Sequence, residues 1–259
     1  MKKFPYLQNV SLKLDRMMNF SSYPFNTLAL KNFESIEFTE PVTFIIGENG
    51  SGKSTLIEAI ATSYGFNPEG GSKNFSFDTR KSHSELHEFL RLSKSFCLPK
   101  DGFFLRAESF FNLATNIETL DKDPLDSSMY LNLPKVIDSF GGESLHEQSH
   151  GESFMSLVVN RFFGHGLYIL DEPEAALSPT RQLTLLARIN QLCELQSQFI
   201  IATHSPILLA YPGAQIYQVT NSGLELTKYE DTEHYAITKS FLLNPERMLQ
   251  ELFKEDNKE

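Results

Sequence analysis

Apolar and polar positions along this chain fall into two alternating periods. Val42-Thr43-Phe44-Ile45-Ile46 is a short β-branched run of the kind found in a strand buried on both faces, and residues 102–107, 166–170 and 198–202 repeat it. Helical periods follow. Leu56, Ile57, Ile60 and Ala61 predict a helix to about Tyr64. Phe154, Met155, Leu157, Val158 and Phe162 predict a second, and Leu183, Leu186, Ile189 and Leu192 predict a third over residues 179–195. Buried strands alternating with amphipathic helices predict an α/β domain with a mostly parallel sheet flanked by helices. Shorter patterns predict strands at 27–30 and 36–38, a hairpin pairing 215–219 with 224–228 about Asn221-Ser222-Gly223, and helices from Glu233. Residues 82–94 read as a helix with Leu86, Phe89 and Leu90 inward. Residues 1–25 read as irregular. The stretch 109–147 has the weakest pattern, with a helix expected around 130–140 that Gly141-Gly142 ends.

The chemistry concentrates at the ends of the apolar runs. Gly47-Glu48-Asn49-Gly50-Ser51-Gly52-Lys53-Ser54-Thr55 follows the first of them and fills G-x-x-x-x-G-K-[ST], a phosphate-binding loop in its required place between strand and helix. The glycines let backbone N–H groups converge on an anion, and the helix opening at Lys53 adds its positive end. Lys53 is expected to bridge the β- and γ-phosphates, and Ser54 to ligate Mg²⁺. The run at 166–170 ends in Asp171-Glu172-Pro173, where Pro173 stops the strand. Neighbouring strand residues point to opposite sides, so the two carboxylates divide the work: Asp171 as a metal ligand, Glu172 polarising the attacking water. Thr203-His204-Ser205-Pro206 closes a third run, placing His204 as a γ-phosphate contact. Glu108 follows the fourth run and is a candidate metal ligand at the crevice, or an exposed strand-end acid. Ser149, followed by Gly151 and Glu152, is placed to cap a helix and offers a second anion site. His83 and His87, four apart, have metal-ligand spacing but no evident third partner, and a polar helical face is the plainer reading.

Composition narrows the setting. A net charge of −10 argues against coating nucleic acid by bulk electrostatics, yet residues 71–107 hold seven basic residues (Lys73, Arg80, Lys81, Arg91, Lys94, Lys100, Arg106) against four acidic ones. A solvated helical face and a polyanion-binding surface both stay open there. Two isolated cysteines, no membrane-length apolar run and a start without an apolar leader predict a cytoplasmic protein.

In this order the motifs resemble those of the ATP-binding-cassette (ABC) ATPases, in the branch that includes RecF and the structural-maintenance-of-chromosomes (SMC) proteins. GENGSGKST resembles that branch's Walker A, LYILDEP its Walker B and ATHSP its switch-histidine loop. Gln148 to Glu152 resembles the signature loop, with His150 in place of a glycine. Ala176-Leu177-Ser178-Pro179 resembles the D-loop, with serine for aspartate, and Glu108 stands where the family has its Q-loop glutamine. Ser149 precedes Asp171 by 22 residues and His204 follows it by 33, as in the family. About 40 residues separate Glu108 from Ser149, too few for a long coiled-coil insertion.

The resemblance implies a P-loop fold of ABC type with an antiparallel β-subdomain and a small helical lobe. It divides the chain into an ATPase half at 1–107, a helical signature lobe at 108–164 and a second ATPase half at 165–259. It also implies ATP and Mg²⁺ as ligands and a head-to-tail homodimer, with ATP held between Walker A of one subunit and Ser149, Gly151 and Glu152 of the other. A RecF-like role acting on DNA or a protein partner is the expected function, with an energising transporter subunit or a slow nucleotide-gated switch as alternatives. Tyr23 and Phe33 are the aromatics offered for the base.

Overall fold

The computed structural model describes residues 5–13, 18–72, 84–108, 110 and 149–255. Expectations at His83 and over 111–147 lie outside them. Six strands form the central sheet: β3 (Val42–Ile46), β5 (Asp101–Arg106), β6 (Gly166–Asp171), β7 (Gln198–Ala202), β8 (Gln215–Thr220) and β9 (Gly223–Thr227), in the order β5-β6-β7-β3-β8-β9. All neighbours are parallel except the β8–β9 hairpin. A second, antiparallel sheet pairs β1 (Leu7–Leu12) with β2 (Ser35–Glu37) on one side and β4 (Leu90–Lys94) on the other. This is the α/β P-loop fold with an antiparallel subdomain.

The unbroken apolar runs arise because the central sheet is covered on both faces, and a strand's side chains alternate between them. Phe44, Phe103, Tyr168, Leu170, Phe199 and Ile201 pack on one face against α2 (His150–Arg161) and α3 (Pro179–Glu194). Ile45, Phe104, Ile169 and Ile200 pack on the other face against α1 (Lys53–Tyr64). The three-stranded sheet covers α1 from outside with Leu7, Val10 and Ile36. Burial from both sides explains why α1 is apolar over most of its circumference. Gln198 ties the layers together: its amide accepts from the Leu7 N–H at 2.9 Å and donates to the Leu7 carbonyl at 2.8 Å, satisfying a buried polar side chain.

Four expectations are corrected. The stretch 1–25 contains a regular strand, β1. Residues 27–30 form a 3₁₀ turn (Leu28–Leu30) rather than a strand. The helix expected over 82–94 is not formed by its described residues, 84–94: Glu85–Phe89 is a short 3₁₀ turn capped by Ser84, and the chain then extends into β4. On α3, Leu183 is 58% exposed, and the inward position goes to Gln182, which donates to the Leu177 carbonyl at 3.1 Å and accepts from Ser205 Oγ. After β9 the chain continues through α5 (Glu233–Leu243) and α6 (Pro245–Glu255), with the one-turn α4 (Pro206–Leu209) between β7 and β8.

Candidate nucleotide-binding site

The ends of β3, β6 and β7 lie side by side, so the loops leaving them share one edge. The first is 47–52. Gly52 has φ 98 and is packed so tightly that a Cβ would lie 2.7 Å from Thr27 Cβ; at Gly47 it would lie 2.8 Å from Val219 Cβ. Gly50, with φ 76, faces open space. The loop closes on Lys53, whose Nζ donates to the carbonyls of Gly47 at 2.8 Å and Glu48 at 2.9 Å. Burial lowers the lysine pKa, and the Glu172, Asp171 and Glu174 carboxylates oppose that shift. Ser51 Oγ is buried in the loop without a partner, whereas Glu48, Asn49 and Gly50 are exposed. Thr55 Oγ1 lies 3.3 Å from the Tyr23 hydroxyl.

At the end of β6, Asp171 accepts from Ser54 Oγ at 3.0 Å, joining the two expected metal ligands. Burial pushes its carboxyl up to about 6, against the pull of Arg106 and the Ser54 hydrogen bond. Arg106, at the end of β5, stands beside this pair: Nε lies 3.4 Å from Asp171 Oδ2, Nη1 is 2.7 Å from Glu58 Oε2, and Nη2 is 3.7 Å from Glu108. Arg106 therefore supplies the local counter-charge to Asp171. It leaves the basic surface, where composition alone had put it. Glu108 reaches the site's edge through Arg106, with its side chain 85% exposed.

Glu172 leaves the strand. Its backbone is left-handed, φ 50 and ψ 51, so the separation of its side chain from Asp171 comes from this turn and not from strand alternation. A non-glycine residue held there is a local strain of the sort found at functional sites. Its Oε1 lies 3.6 Å from His204 Nε2. His204 is held twice from behind, by Glu174 Oε1, which accepts its backbone N–H at 2.5 Å, and by His234, whose Nε2 is 3.3 Å from His204 Nδ1. Burial raises the Glu174 pKa and lowers those of both histidines. His234 and Ile237 of α5 also line a cavity of about 600 Å³ with Gly47, Glu48, Asn49 and His204.

Ser149 belongs to a different constellation. It caps α2, and Glu152 accepts both its N–H at 3.1 Å and its Oγ–H at 2.7 Å. Arg181 of α3 donates to Ser149 Oγ at 3.3 Å and to Glu152 Oε1 at 2.8 Å. Hydrogen bonds from the Ser149 side chain and backbone, with the charge and hydrogen bond of Arg181, hold the Glu152 pKa down. Gly151 is where the arginine passes: a Cβ there would collide with Arg181 Nη1 and lie 2.8 Å from the Ala176 carbonyl. None of these partners is a phosphate-loop residue. Ser178 caps α3.

Lys53, Ser54, Asp171, Glu172 and His204 thus come together, while Ser149, Gly151 and Glu152 form their own group. Of the aromatics offered for the base, Phe33 is buried in the core and Tyr23 is exposed. His87 Nδ1 lies 3.0 Å from the Ser84 carbonyl, and no cluster of three metal-ligating side chains occurs among the described residues. Sequence reasoning missed Glu174, His234 and Arg181, and misplaced Arg106. Glu174 could have been noticed as a third acid within four residues of Asp171. His234 and Arg106 are joined to the phosphate-loop group, and Arg181 to the Ser149 group, by tertiary contact alone.

Two family models match the chain. One, described as an AAA domain, covers residues 16–118; the other, an AAA-domain model whose description names the AbiEii toxin and the Type IV TA system, covers 144–210. The chain is 24% identical to the tungstate uptake system ATP-binding protein TupC of Campylobacter jejuni subsp. jejuni, over 92% of this chain and 77% of that protein. It is 29% identical to the nisin transport ATP-binding protein NisT of Lactococcus lactis subsp. lactis, over 61% of this chain and 28% of that one. Solved structures similar to it include a nucleotide-free ATP-binding cassette from an ABC transporter (18% identity, TM-score 0.49, covering 90% and 95% of the two chains). An SMC head domain from Thermotoga maritima is another (15%, 0.43, 86% and 98%). The sheet order, the phosphate loop on β3 and the acids at the end of β6 make the fold of this chain the α/β P-loop fold.

Proposed function

We propose that this protein hydrolyses ATP to ADP and phosphate in a head-to-tail homodimer, each site completed by the signature group of the other copy. The observation that carries this reading is the pairing of Ser54 with Asp171 at 3.0 Å beside Glu172 and His204 at 3.6 Å, on loops from three different strands. The residues suit a triphosphate and a divalent cation. The loop is closed to side chains at Gly47 and Gly52, Ser51 Oγ and His204 Nε2 are buried polar atoms lacking partners, and Asp171 is a carboxylate in need of positive charge.

In this reading Gly47 to Gly52 and the α1 N-terminus cradle the phosphates, and Lys53 leaves the Gly47 and Glu48 carbonyls to bridge β and γ. Ser54 and Asp171 would hold Mg²⁺, which would neutralise charge on the phosphate oxygens, and Glu108 stands at the rim as a further acid. Glu172 orients and polarises water for attack on the γ-phosphorus, and His204 steadies the γ-phosphate. Ser149 and Gly151, at the N-terminus of α2, face the partner's nucleotide, with Glu152 and Arg181 fixing the serine. A steady-state phosphate-release assay tests this: Glu172→Gln is expected to lower turnover by about 10²–10⁴, and a fall of less than threefold would refute the assignment.

The work done by hydrolysis is proposed on DNA or a protein partner. The candidate contact is the segment from Lys73 to Lys100, without Arg106, which faces the site. Salt-dependent DNA binding that disappears on charge reversal of Lys73, Arg80 and Lys81 supports this; ATP-dependent dimers with no DNA affinity at low salt exclude it. A transporter-energising role is the second reading, favoured by the relatives named for tungstate uptake and nisin transport. Among the described residues no helix is long and apolar enough to cross a membrane, so that role requires copurification with a separate membrane protein. A cytoplasmic setting belongs to either reading, and the free thiols of Cys97 and Cys193 agree with it.

A further inference from the structure

The contact between His204 and His234 fixes more than distance. A hydrogen bond between two imidazole nitrogens needs a proton on one and a lone pair on the other, and a neutral ring has one of each. The 3.3 Å approach of His234 Nε2 to His204 Nδ1 therefore links the tautomers of the two rings. If His204 is the donor, its hydrogen sits on Nδ1 and its Nε2 lone pair confronts Glu172 Oε1 at 3.6 Å. That arrangement is repulsive toward the carboxylate and toward any phosphate oxygen. If His234 is the donor, the hydrogen of His204 sits on Nε2, directed at an acceptor. A doubly protonated His204 would also donate there, but burial and the Lys53 charge both disfavour it.

We infer that His234 is a positioning residue: by donating from Nε2 to His204 Nδ1, it holds the switch histidine in the Nε2–H tautomer, the neutral form able to donate to the catalytic carboxylate and the γ-phosphate. The inference rests on the proposed role of His204 but concerns an imidazole state that exists without nucleotide. It also gives α5 a function. Thr232 caps this helix by accepting the Tyr235 N–H, which fixes the helix start, and with it His234, against the end of β7. Glu233, next to His234, favours positive charge on that ring, while burial and Lys53 oppose it. His234 Nδ1 is buried without a hydrogen-bond partner among the described residues, which leaves the contact with His204 as the hydrogen bond that selects the tautomer there.

The test is a long-range ¹H–¹⁵N spectrum of the imidazoles in nucleotide-free protein at neutral pH, with His204 assigned by its loss in His204→Ala. The wild type is expected to show His204 protonated at Nε2, and His234→Phe to show it as a mixture of both tautomers. His234→Gln, whose side-chain amide keeps a donor, should restore the Nε2–H form. In turnover, His234→Phe should lower kcat about 10- to 100-fold with KM for ATP within about twofold, Gln should recover most of it, and the loss should vanish in a His204→Ala background. An Nδ1–H His204 in the wild type, a spectrum unchanged in His234→Phe, or an equal loss of kcat in the His204→Ala background would overturn the inference. Full turnover by His204→Ala would instead refute the γ-phosphate reading, and the spectrum would still decide the tautomer.

Discussion

Asp171 concentrates the electrostatics of the site in one residue. Its carboxyl is raised from 3.8 to about 6 because burial outweighs both Arg106 and Ser54. The sign of the consequence is the reverse of that for a salt-bridged acid. Between about pH 4 and 6 the folded protein retains a proton that the unfolded chain has released, so stability falls as pH rises through this window and stays low above it. A shift of this size corresponds to about 3 kcal/mol at pH 7. Asp171→Asn is therefore expected to raise the melting temperature at pH 7 by several degrees, with the gain shrinking toward pH 4, while abolishing Mg²⁺-dependent turnover. Differential scanning calorimetry from pH 4 to 8 measures it, and a melting temperature that falls at pH 7 contradicts the cause given for the shift. Lys53→Ala should eliminate ATP binding in a calorimetric titration, because removal of the buried amine leaves the phosphates without their counter-charge; retained micromolar affinity contradicts the role given to Lys53.

At the scale of elements, the proposed function falls on two helix starts, and glycine is what would let a phosphate approach them. Gly52→Ala would put a Cβ against Thr27 in a left-handed backbone, so we expect a loss of about 1–3 kcal/mol in urea unfolding together with loss of ATP binding. Gly151→Ala should displace Arg181 from Ser149 and Glu152. The expected result is weaker ATP-driven association with nucleotide binding by the monomer intact, measured by light scattering and calorimetric titration in parallel; association unchanged would show that Arg181 does not position the signature serine. The strands of the sheet core could be read from their apolar runs alone, since β3, β6 and β7 are buried throughout and polar only at Thr43, Asp171 and Gln198. β1 could not, because its pattern is broken by a register shift between Leu7 and Asn9. The 3₁₀ turn and β4 mimicked one helix because Leu86, Phe89 and Leu90 keep a helical spacing across the junction. Leu183 misled for a different reason: the buried face of α3 tolerates Gln182 once Ser205 and the Leu177 carbonyl satisfy its amide. The phosphate loop, Asp171, Glu172 and His204 were legible from local motifs, whereas Arg106 and His234 become neighbours of that site, and Arg181 of the Ser149 group, only through pairing of distant segments.

At the scale of the whole molecule, the candidate site residues among those described fall into two separate groups, which the proposed function reads as two half-sites. Lys53, Ser54, Asp171, Glu172 and His204 converge on one sheet edge, and the Ser149 group is bonded within itself and to α3. A second copy that brings its Ser149 to the phosphate loop would supply what each half lacks, and hydrolysis would then separate the copies. The most direct measurement is the mass of Glu172→Gln in excess ATP and Mg²⁺, by size exclusion with light scattering. The account predicts a species of twice the 29.5 kDa chain that reverts to one chain when Ser149 is also replaced by arginine. A Glu172→Gln protein that binds ATP and remains at 29.5 kDa would contradict it.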